Sequence, residues 1–98
     1  MLDVSFGKMD ILLKNGKRPM LEHLIFERNG RAHKHKEYES FFVTNGEGRV
    51  ISGEKTFDVT VGSLVTIPPN TDHWMEVENN QILEGFLWYH ELPMNYLN

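Results

Sequence analysis

The chain has 98 residues, with ten Lys plus Arg against fourteen Asp plus Glu and no Cys, for a net charge of −4. That length fits one compact domain over residues 1–98 and leaves no room for a second. The missing thiols exclude disulfides and thiolate metal sites, and the dispersed negative charge disfavours nucleic acid or an anionic membrane as partner.

Residues 1–17 are interrupted by Asp3, Lys8, Asp10 and Lys14, so they hold neither the apolar core of a signal peptide nor a membrane span of ~20 apolar residues. A soluble, cytoplasmic protein is the expectation. Leu2, Val4 and Phe6 alternate as in a strand, and residues 7–19 are polar enough to include irregular chain. Ala occurs once, and no apolar stretch repeats at helical spacing. Strand signals recur instead over 21–27, 38–44, 49–52, 55–61, 64–67, 73–78 and 82–90, each short and β-branched or aromatic. Asn45-Gly46-Glu47-Gly48 reads as one hairpin and Ser52-Gly53-Glu54-Lys55 as another, with reversals at Asn15-Gly16, Asn29-Gly30 and Asn79-Asn80. Short strands punctuated in this way predict an all-β sandwich or barrel. Residues 91–98 would wrap the barrel or form one helical turn.

Chemistry concentrates at His33-Lys34-His35. On an extended strand the two rings share a face roughly 7 Å apart, close enough to converge on one ion. Glu39 follows on the face of Phe41 and Val43, where a buried carboxylate needs a cation or a proton. Far along the chain, a strand at 64–67, the rigid Pro68-Pro69 turn and a reversal at Asn70 lead into a strand opening with His73, which shares its face with Met75 and Val77.

These residues resemble the two motifs of the cupin superfamily. His33, His35, Glu39 and Gly46 match the spacing of G(X)5HXH(X)3-4E(X)6G over about 27–46. Gly62, Pro68 and His73 match G(X)5PXG(X)2H(X)3N over about 62–77. Glu27 replaces the opening Gly, Asn70 the Gly of the second motif and Val77 its closing Asn, so no ligand position is altered. The resemblance implies a small single-domain cupin, a double-stranded β-helix or jelly-roll barrel, in which His33, His35, Glu39 and His73 bind one divalent transition metal. Imidazole and carboxylate donors suit Fe, Mn, Ni, Cu or Zn, and four protein ligands leave coordination positions for a substrate.

The implied function is that of a metal-dependent enzyme acting on a small oxygen-bearing organic molecule inside the barrel, dioxygenase-like first and isomerase or lyase second. Glu39 would be both ligand and catalytic base. The alternative is a non-catalytic module that binds a small molecule or metal. Arg31, Lys34 and Lys36 read as a solvated rim, His23 as a strand histidine, and His90 as a residue of the barrel end. Phe41, Phe57, Phe86, Trp88 and Tyr89 read as core or pocket wall. Phe42 and Trp74 alternate outward, which predicts a homodimer whose second sheet, or the strand holding Leu2, Val4 and Phe6, covers them.

Overall fold

A computed structural model describes residues 1–91. Its strands are β1 (Leu2–Val4), β2 (Gly7–Asn15), β3 (Arg18–Phe26), β4 (Tyr38–Ser52), β5 (Lys55–Thr60), β6 (Leu64–Ile67), β7 (His73–Glu76) and β8 (Leu83–His90). All pairings are antiparallel, in the order β1-β2-β3-β8-β4-β5, with β6 and β7 attached to β4. The expected all-β jelly-roll barrel is the observed fold.

β4 organises it. Its first half pairs with β6 and β8, and its second half with β5 and β7, so one continuous strand serves both sheets. The hairpin expected at Asn45–Gly48 is therefore absent. The chain bends there instead of reversing: the register shifts between Val43 and Asn45, and Gly46 takes φ +81°. An Asn-Gly pair signals positive φ, and a strand that changes sheets uses that freedom as readily as a turn does. A Cβ at Gly46 would lie 2.0 Å from the Ile82 carbonyl oxygen, so only glycine allows β8 to approach.

The turns at Gly16 and Gly53 are hairpins as expected, both with φ above +60°. Asn70 and Asn80 are left-handed as well, at φ 55° and 65°. Residues 7–19, expected to include irregular chain, form β2 and its hairpin with β3. The polar side chains belong to a strand interrupted only by register shifts around Leu13. The expectation for residues 91–98 lies outside the described residues from 92 onward.

Inward residues alternate along the strands. Leu24 and Phe26 of β3, Phe41, Val43 and Val50 of β4, Ile67, Met75, Leu83 and Leu87 form one core. Phe6 stacks on Phe26 at 4.4 Å between ring centroids, and β1 pairs with β2 of its own chain. The N-terminal segment is thus committed within the barrel, at the sheet edge away from Phe42. Phe57, expected in the core or pocket wall, is 39% exposed: it shares a face of β5 with the buried Val59, but β5 buries only Val59. Phe86 also faces out, with its ring 5.2 Å from that of His23. Trp74 is half-buried, and its indole Nε1 donates to Glu76 Oε2 at 2.8 Å. Among the described residues no helix is long and apolar enough to cross a membrane.

Candidate metal centre

His33, His35, Glu39 and His73 come together, each offering one donor atom, with these atoms all within 4.8 Å of one another. Three local devices place them. The loop after β3 runs beside β7, where His33 N–H donates to the His73 carbonyl at 3.2 Å and His73 N–H donates back to His33 at 3.0 Å. Asn70 N–H donates to the His35 carbonyl at 2.7 Å, so the left-handed Asn70 turn pins the other end of the His-Lys-His segment. Glu39 enters from β4, paired with Ile67 of β6 and Tyr89 of β8. Glu39 and His73 are each 1% exposed, whereas His33 reaches the surface.

Ring orientation follows from hydrogen bonds to backbone carbonyls. His33 Nδ1 meets the Arg31 carbonyl at 3.0 Å, His35 Nδ1 that of Glu37 at 3.0 Å and His73 Nδ1 that of Thr71 at 2.8 Å. A carbonyl only accepts, so each Nδ1 carries the proton and each neutral ring presents its Nε2 lone pair. The Nε2 atoms of His35 and His73 lie 3.0 and 3.2 Å from Glu39 Oε1. Lone pair would face lone pair at those distances, so a second ring proton or a shared cation must stand between them. Glu39 Oε2, buried, has no hydrogen-bond partner among the described residues. Fixed tautomers, convergent Nε2 atoms and an orphaned carboxylate oxygen are what a divalent transition metal requires of its protein ligands.

Electrostatics agree. Burial pushes the Glu39 carboxyl up, but hydrogen bonds from His35 and His73, reinforced by their charge, outweigh it and hold the group below the usual carboxylate range. Burial pushes His73 down, and the Glu39 hydrogen bond and charge more than reverse this, leaving it above an ordinary histidine.

His33 and Glu39 line a pocket of about 290 Å³ that opens to solvent. Its walls include Phe6, Met9, Leu24, Phe26, Met75 and Leu87, with neither Trp88 nor Phe41 among its lining residues. Glu22 and Tyr89 line it too, and sequence reasoning missed Glu22. The signal was present, since Glu22 alternates with Leu24 and Phe26 on the inward face of β3. The other histidines stand apart from the cluster. His23 Nε2 pairs with Glu84 Oε2 at 2.7 Å, and His90 Nε2 meets Ser40 Oγ at 2.8 Å while its ring stacks on Tyr38.

A family model described as a cupin domain matches residues 23–89. The chain belongs to the cupin family. Among solved structures, a predicted oxalate decarboxylase from Thermotoga maritima aligns at TM-score 0.75 with 22% identity, covering 86% of this chain and 79% of that one. A protein of Photorhabdus luminescens aligns at TM-score 0.73 with 22% identity, over 99% and 87%. A cupin-like protein from Thermotoga maritima aligns at TM-score 0.67 with 24% identity, over 74% of this cupin and 56% of the other, so this chain spans little more than half of that relative's length. No curated protein is similar enough in sequence to match.

Proposed function

We propose that this cupin is a metal-dependent enzyme acting on a small oxygen-bearing organic molecule within the barrel, with dioxygenase-like chemistry first and isomerase or lyase chemistry second. The observation that carries the reading is the position of the donor cluster on the wall of an open pocket: a sealed cluster would suit a structural ion, whereas His33 and Glu39 line space that a substrate can enter. His33, His35, Glu39 and His73 would hold a divalent Fe, Mn, Ni, Cu or Zn ion. When bound, that ion supplies Lewis acidity or, as iron, a redox centre for dioxygen.

The chain's own residues have distinct tasks. The Arg31, Glu37 and Thr71 carbonyls fix the imidazole tautomers, and the apolar walls exclude bulk water from the reacting end. Glu39 is the candidate base, because its residue lines the pocket and its buried Oε2 has no protein donor among the described residues. The similarity in fold to a predicted oxalate decarboxylase lends support at the level of fold alone.

Metal analysis of protein purified without a His tag, followed by oxygen-uptake and product assays over catechols, thiols and β-diketones, tests the reading. A stoichiometric divalent metal with turnover of one of these classes is the expected result. Stoichiometric metal with no turnover of any of them favours the non-catalytic binding module, and absence of metal removes the metal enzyme and leaves a small-molecule-binding module.

A further inference from the structure

We propose that Glu22 is a specificity-determining residue that binds a hydroxyl group on the ligand, so that the pocket takes a hydroxylated molecule of about one ring. The proposal refines the preceding reading and concerns the same pocket. Glu22 is 8% exposed, projects inward from β3 and lines the cavity with His33 and Glu39. Its one protein partner among the described residues is the Tyr89 hydroxyl, which donates to Oε1 at 3.5 Å, the limit of a hydrogen bond. Tyr89 connects the two halves of the pocket. It faces Glu39 across β4 and β8, and its ring meets His35 edge-on at 5.2 Å.

A carboxyl in this setting opposes folding. Its neighbours on the strand are Leu24 and Phe26, and the cavity wall around it is largely apolar, so its desolvation is offset by a single long hydrogen bond. A leucine there would complete the core. Burial pushes the Glu22 carboxyl above the usual range, the Glu39 charge adds to this, and the Tyr89 hydrogen bond opposes it. A hydroxyl satisfies such a carboxyl in either protonation state, since it can donate to a carboxylate and accept from a carboxylic acid, whereas a carbonyl cannot pair with the carboxylate and an ammonium cannot accept the acid's proton. A cavity of about 290 Å³ lies at the small end of ligand sites, which limits the body of the ligand to roughly a single ring.

Phenol and fluorobenzene, which differ in little but the hydroxyl, probe this by NMR titration of chelated and Zn-loaded protein. Wild-type protein is expected to bind phenol about three- to tenfold more tightly, the range of one net hydrogen bond. Glu22→Gln should keep the preference, while Glu22→Leu should reverse it and melt at a higher temperature than wild type. Equal binding by wild type, a preference that survives in Glu22→Leu, or a lower melting temperature for Glu22→Leu would overturn the proposal. Neither probe requires the ion, so a protein that prefers phenol yet takes up no divalent metal would sink the proposed metal enzyme while leaving Glu22 in its role.

Discussion

His33 and His73 exchange both backbone hydrogen bonds, though one lies in the loop before β4 and the other opens β7. If both side chains hold one ion, as proposed, they should lose it together. Metal content in protein prepared without a tag is expected to drop from stoichiometric to near zero in His33→Ala and His73→Ala alike, measured by elemental analysis. Unchanged metal in both variants would refute shared coordination.

Chelation should lower the melting temperature. An ion at about a hundredfold its dissociation constant adds about 2.7 kcal/mol to the native state, which for a domain of this size corresponds to roughly 10–20 °C. Thermal melts before and after chelator treatment read this directly. A melting temperature indifferent to chelator argues that no ion was held.

The metal-free protein has a defined pH optimum of stability. His73, raised on folding, contributes fully below its unfolded value of 6.5, and this is lost as pH rises through the folded pKa. Glu39, lowered on folding, contributes above its unfolded value of 4.5, and this is lost as pH falls through the folded pKa. Chelated protein should therefore melt highest in the window between 4.5 and 6.5 and weaken above neutrality. Metal affinity runs the other way, because the ligand is neutral imidazole, and should rise across the same neutral range. Melting curves and metal titrations at several pH values would reveal the crossing.

Gly46→Ala should destabilise the barrel by about 2–4 kcal/mol, since it combines a left-handed backbone with a clash against the Ile82 carbonyl. Chemical denaturation measures it. A change below about 0.5 kcal/mol would mean that β4 and β8 separate easily at this point.

The homodimer expected from the sequence on Phe42 and Trp74 remains a proposal: Trp74 is half-buried, whereas Phe42 is 38% exposed beside its cross-strand partner Leu64, which is 47% exposed. Sedimentation at micromolar concentration should give a dimer, and Phe42→Lys should shift it toward monomer. A wild-type monomer would retire the idea.

Local chemistry made the convergence of the candidate donors and most strands legible. Alternation around Glu39 fixed its inward face, and the spacing of His33, His35 and His73 needed only extended chain and a Pro-Pro turn to make sense. What escaped was non-local or ambiguous. Asn45-Gly46 marks positive φ without saying whether the strand turns back or bends onward, and only the pairing of β4 with four other strands decides. Glu22 was overlooked because a charged residue in an alternating strand is ordinarily assigned to solvent, although Leu24 and Phe26 shared its parity. The position of β8 between β3 and β4 follows from the closure of the whole sheet, which no local pattern encodes.

That placement of β8 bears on biosynthesis. A ribosome delivers His33, His35, Glu39 and His73 before it delivers residues 83–90, yet β3 and β4 are joined only through the later segment. A nascent chain halted short of β8 would display every donor but lack Leu87 and Tyr89, leaving the chamber without one side. The pocket wall is therefore complete only after this strand has joined β3 and β4, a pairing between segments far apart in the chain and of the kind that topology makes slow.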